Sequence, residues 1–149
     1  MTSSPPPIPP VPAVRIDRYL TPADLAASMR TDVRAGLTAS PKSLPPKYFY
    51  DGRGSALFED ITRLPEYYPF RAEREILDAR AADLARLTGA RSLVELGSGS
   101  SEKTRLLLDS LRDHGTLAEF VPLDVSESAL REAVAAIVAD YPGLAVHGV

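Results

Sequence analysis

Apolar positions follow two different rhythms along this chain. After residue 90, short apolar runs alternate with amphipathic stretches. "SLVEL" (92–96), "FVPLDV" (120–125) and "LAVHGV" (144–149) read as strands. Residues 101–113 and 127–140, between them, carry the spacing of helices. That order is β-α-β-α-β, which predicts an α/β fold with a parallel sheet and right-handed crossovers.

Before residue 90 the rhythm is helical only. Leu25, Met29 and Val33 recur at helical spacing behind a start signal of Thr21, Pro22 and Asp24, and Gly36 is the expected stop. "TASPKSLPPKYFYDGRGS" is loop, rich in Pro, Gly and Ser. "SALFEDITRL" is a short helix, and "PEYYPFR" is a loop pinned by Pro65 and Pro69. Residues 70–88 predict a longer helix with Ile76, Leu77, Leu84 and Leu87 towards the core and Gly89 as its stop. No internal repeat is present.

These rhythms divide the chain into a proline-rich tail (1–14), an N-terminal helical segment (15–90) and the first half of a larger sheet domain (91–149). Six of the 14 prolines fall in the first 12 residues, so the tail is expected to be disordered or polyproline II. It lacks the basic and apolar regions of a secretory signal, and no fixed basic anchor suggests an SH3 ligand. No apolar run reaches membrane-spanning length. A cytoplasmic protein without a membrane partner is the expectation.

Composition narrows the chemistry. The 149 residues carry a formal charge of −3 and no cysteine, so disulfides, thiolate metal sites and cysteine nucleophiles are excluded. A nucleic-acid partner is disfavoured for want of a basic face. His114 and His147 lie apart without metal-ligand spacing, and no metal site is expected.

The chemistry concentrates in "LVELGSGSSEKTR" (93–105), a strand, a glycine turn and a helix start. A phosphate loop wants G-x-x-x-x-G-K-[ST]; Gly97, Lys103 and Thr104 match, but Glu102 stands where the second glycine belongs. Two like charges 4 Å apart cost about 4 kcal/mol at an effective dielectric near 20, so a carboxylate there opposes a phosphate. The dinucleotide pattern G-x-G-x-x-G fits at Gly97 and Gly99 and fails at Glu102 as well. S-adenosylmethionine fits better. It carries a sulfonium and an ammonium against a single carboxylate, so acids beside it are favourable. Glu95 stands two residues before the first glycine, and Asp124 ends the second strand, where a carboxylate can accept ribose hydroxyls. Plainer readings stand beside each residue. The glycines could make a tight turn, Glu95 could be a sheet-edge charge, Lys103 a solvated lysine, and Asp124 local turn chemistry before Ser126, the better N-cap.

From about Asp32 onward the chain resembles the histidine Nα-methyltransferases of ergothioneine biosynthesis. "SLPPKYFYD", "LFEDITRLPEYYP", "ELGSGSSEKT" and "FVPLDVS", in this order, carry the resemblance. It implies a Rossmann-like S-adenosylmethionine-dependent methyltransferase fold with an added substrate-binding segment. It also implies three methyl transfers to the α-nitrogen of L-histidine, giving hercynine. By that pattern Gly97, Lys103 and Asp124 contact the cofactor, with Glu95 and Gly99 in the same turn. Tyr67 contacts the substrate, and Tyr50 and Phe58 lie beside it. Core packing is the plainer reading of the aromatics. No strong base for the substrate ammonium is evident, and Tyr50 is the candidate to orient the amine. Members of the family are longer and can act alone as monomers. Their adenine-binding pair and the residues that read imidazole have no counterpart before Val149. The chain is therefore expected to be an N-terminal part, inactive alone. A P-loop-like nucleotide-binding protein and an inactive remnant are the competing readings.

Overall fold

The computed structural model describes residues 14–149. The proline tail, apart from Val14, lies outside the described residues. Four parallel strands form one sheet: β1 (Val14–Ile16), β2 (Ser92–Leu96), β3 (Glu119–Leu123) and β4 (Ala145–Gly148). Their order is β1-β4-β3-β2. In register, Leu93 pairs with Phe120 and Phe120 with Val146, so these side chains share one face.

That face is covered by α4 (Thr104–Asp113) and α5 (Glu127–Asp140), the two crossover helices. Leu108, Phe120, Leu130, Val134, Ile137 and Val146 form the buried cluster between sheet and helices. Each such side chain contributes about 1.5–3 kcal/mol on burial, so this cluster is the main anchor of the domain. Tyr141 closes its end, and its hydroxyl donates to Asp109 Oδ1 at 2.9 Å. Burial and that carboxylate push the Tyr141 phenol up to about 12. The opposite face, bearing Val94 and Leu96, is open among the described residues.

The N-terminal segment supplies three helices: α1 (Pro22–Thr38), α2 (Gly52–Thr62) and α3 (Tyr68–Thr88). Thr21 and Asp24 cap α1 reciprocally, as their spacing predicts. The helix does not stop at Gly36. It runs on to Thr38, and Gly36 is instead where the following loop crosses: a Cβ there would lie 1.9 Å from the Ser43 carbonyl oxygen. No residue of α1 is buried. Polar contacts tie it to the single turn at Pro46–Phe49, where Tyr48 donates to Asp32 at 2.7 Å and Lys47 pairs with it at 2.9 Å. These contacts, Tyr48 first, hold the Asp32 carboxyl below its ordinary range.

Helix α3 begins two residues earlier than the sequence indicates, and Gly89 ends it in the left-handed conformation. Its orientation departs from expectation. Ile76, Leu84 and Leu87 are exposed, and Ala81 and Ala85 are the buried residues. The small side chains let α3 approach α4 closely. Helix α4 starts at Thr104 rather than 101, because Ser101 has φ 52° and cannot continue a right-handed helix.

Candidate functional site

The site lies where β2 and β3 end, the edge at which open α/β sheets bind ligands. Residues 97–103 make the turn between β2 and α4. Gly97 (φ 73°) and Gly99 (φ 49°) take positive dihedrals at no steric cost, and nothing lies within 4 Å of where a Cβ would stand on either. The amides of Gly97 and Ser98 both donate to the Leu123 carbonyl, at 2.8 and 3.0 Å. The turn is thus strapped to the end of β3.

Asp124 completes the strap. Its Oδ2 accepts from the Gly99 amide and its Oδ1 from the Ser126 amide, both at 2.8 Å. Ser126 caps α5, accepting from the Ala129 amide. The local-turn role of Asp124 is therefore real. It does not exhaust the carboxylate, which has about four acceptor positions.

Glu95 reaches along the turn to the start of α4. Its carboxylate accepts from Ser101 Oγ at 3.2 Å and from the Thr104 hydroxyl. Burial pushes its carboxyl up, and the two hydroxyls and Lys103 pull it back only in part. Ser98, in the same turn, is buried, and its Oγ has no hydrogen-bond partner among the described residues.

Lys103 is the N-cap position of α4 and makes no side-chain cap bond. Its ammonium pairs with Glu73 and stands 4.9 Å from the ring centroid of Phe70, both on α3. The adjacent Glu102 pairs with Arg74 at 2.8 Å. That contact explains the residue that spoils both phosphate patterns: Glu102 ties the turn to α3.

Three aromatics from the N-terminal segment face this turn. Tyr50 meets Phe58 edge-on, with centroids 6.0 Å apart at 64°. Phe58 meets Tyr67 in the same way, at 6.1 Å and 80°. Such pairs add about 0.5–1.5 kcal/mol beyond burial and fix the rings against one another. Two cavities adjoin them. One of 240 Å³ lies among Tyr67, Phe70, Glu73, Glu95 and Lys103. The other, of 300 Å³, lies among Tyr50, Leu123, Asp124 and Val125. Phe58, Glu59, Gly97 and Gly99 border both, so they are two halves of one cleft.

All eight residues singled out in the sequence line this cleft: Tyr50, Phe58, Tyr67, Glu95, Gly97, Gly99, Lys103 and Asp124. Glu59, Phe70, Glu73 and Arg74 were missed. A sequence signal existed for the last three, since they share one flank of a helix beginning at "YPF". Only the fold shows which turn that flank meets. The cleft is rich in carboxylates with one lysine, and no group of three metal-ligating side chains occurs among the described residues. None of the described helices is long and apolar enough to cross a membrane.

Comparison with known proteins shows the family. Residues 29–149 match the family model of histidine-specific, SAM-dependent methyltransferases. The chain is 58% identical over 131 residues to the histidine N-alpha-methyltransferase of Mycolicibacterium smegmatis, covering 88% of this chain and 41% of that protein. It is 57% identical over 122 residues to that of Mycobacterium tuberculosis, covering 82% and 38%. It is 36% identical over 109 residues to the ergothioneine biosynthesis protein 1 of Neurospora crassa, covering 72% and 12%. The chain thus spans about two fifths of the length of the two bacterial relatives. It belongs to the histidine-specific, SAM-dependent methyltransferase family.

Proposed function

We propose that this member of the histidine-specific methyltransferase family serves the trimethylation of the α-amino group of L-histidine to hercynine, a step of ergothioneine biosynthesis, with S-adenosylmethionine as donor. The observation that carries the reading is the meeting of three aromatics from the N-terminal segment with an acid-flanked glycine turn at the ends of β2 and β3.

The residues present fit the cofactor. Backbone at Gly97 and Gly99 is open to close approach. Ser98 keeps a buried hydroxyl without a partner among the described residues. The cleft offers Glu59, Glu95 and Asp124 beside Lys103, which suits a ligand with two cationic groups and one carboxylate. When bound, the cofactor supplies a methyl carbon already activated by its sulfonium. Lys103 would hold its carboxylate, Asp124 its ribose hydroxyls, and Glu95 would favour its positive end.

The rest of the chemistry is positioning and the exclusion of water. Tyr67 would contact the histidine, and Tyr50 and Phe58 would wall the amine. Ring faces favour a cationic substrate group by about 0.5–2 kcal/mol. The amine must be neutral to attack, and the Tyr50 hydroxyl would orient it while a water takes the proton. The enzyme would work on a small molecule in the cytoplasm, as a monomer and without nucleic acid.

The test is direct. The full chain as its gene encodes it is incubated with S-adenosylmethionine and L-histidine, and hercynine is followed by mass spectrometry. Hercynine should accumulate, and Tyr50→Phe should slow its formation about tenfold or more. S-adenosylhomocysteine should raise the melting temperature, whereas ATP with magnesium should not. Unchanged turnover in Tyr50→Phe removes Tyr50 from the mechanism. Absence of hercynine overturns the substrate assignment.

A further inference from the structure

We propose that Glu73 is a positioning residue that aims Lys103 into the cleft and so sets the affinity for the amino-acid end of the cofactor. The inference rests on the reading of the cleft as the cofactor site.

Lys103 is oddly placed for a structural residue. It sits at the N-terminus of α4, where the helix dipole and the free amides disfavour a cation. A lysine there needs compensation, and the structure supplies it from another helix. Glu73 pairs with the ammonium, and Phe70 presents its ring 4.9 Å away. The lysine side chain is only 25% exposed, against 57% for Glu73, so the pair has its cation turned inward. With three donors, the ammonium can hold Glu73 and a ligand carboxylate together. Without Glu73 the flexible stem would swing to solvent, away from the free amides of α4.

The geometry also separates aiming from tethering. Residues 102 and 103 of the turn meet residues 74 and 73 of α3 through two ion pairs. Glu102–Arg74 remains when Glu73 is neutralised. Loss of the Glu73 charge therefore leaves α3 attached to the turn while Lys103 loses its guide.

The experiment measures S-adenosylmethionine binding by calorimetry in the full chain as its gene encodes it. The proteins are wild type, Glu73→Gln, Lys103→Met and the double variant. Glu73→Gln should raise Kd about fivefold, the scale of a partly exposed ion pair. Its melting temperature without ligand should stay within about 2 °C of wild type. In turnover, KM for the cofactor should rise with kcat preserved. In the Lys103→Met background Glu73→Gln should change nothing further, since the two act as one unit. An unchanged or tighter Kd in Glu73→Gln overturns the inference, and so does an equal loss in both backgrounds. Failure of wild type to bind S-adenosylmethionine overturns the proposed function itself.

Discussion

At the scale of single residues, the proposed cofactor role of Glu95 implies that stability is traded for ligand preference. Its carboxyl lies above the ordinary 4.5, with burial as the first cause. The folded state thus favours the protonated form. The stability this group contributes is fully present below the unfolded value and is lost as pH rises through the higher folded value. At neutral pH an ionised Glu95 is a burden on the fold, eased by Ser101 and Thr104. Glu95→Gln should therefore raise the melting temperature at pH 7 by a few degrees. The gain should vanish below about pH 4, where wild type is also neutral. The same variant should bind S-adenosylmethionine several-fold more weakly, while S-adenosylhomocysteine, without the sulfonium charge, loses less. Thermal melts across pH and paired titrations check both halves. No change in the relative affinity of the two ligands would show that Glu95 serves only the turn.

At the scale of elements, what the sequence revealed was local, and what it concealed was tertiary. The three strands after residue 90 and their crossover helices were legible because period and turn residues agree there, although α4 starts later than its period suggests and lacks a side-chain cap. β1 was not. Val14–Ile16 follows a proline run and is a strand only because β4 offers it parallel partners, Val14 to Val146 and Ile16 to Gly148. The face of α3 was misread for a similar reason. Leucine marks a core face by default, yet here Ala81 and Ala85 make the contact, because close approach of α4 outweighs side-chain size. The glycine turn and the aromatic segments were legible as motifs, but their meeting across the cleft was not. Gly36 makes the same point. By propensity, Gly36→Ala should strengthen α1 by about 1 kcal/mol. The added Cβ would instead strike the Ser43 carbonyl. The loop must move, at about 1–3 kcal/mol, and the net effect should be destabilising. Urea unfolding should show the loss. The Ser43 amide, bonded to the Gly36 carbonyl at 3.1 Å, should exchange faster with solvent.

At the scale of the whole molecule, the sheet is covered on one face and, among the described residues, open on the other. α4 and α5 cover Phe120 and Val146, while Val94 is 59% and Leu96 77% exposed on β2. β2 is also the terminal strand of the described sheet, so its outer backbone groups lack strand partners. An apolar strand free at one edge is a template for pairing with another chain. The glycine turn grows directly out of this strand, so its geometry depends on β2 staying in place. The 149-residue chain on its own should therefore associate as its concentration rises, with β2 as the contact. Val94→Lys places a charge on the open face, two residues from Leu96 and away from the cleft. It should reduce association several-fold without disturbing β2 pairing to β3, because Val94 faces outward from the buried cluster. Light scattering over a dilution series measures the first effect, and amide exchange across residues 92–96 the second. Association unchanged by Val94→Lys would take the contact away from β2, to another exposed apolar surface such as that of α3, where Tyr68, Ile76, Leu84 and Leu87 are exposed. The cleft would then be free of any influence from self-association through β2.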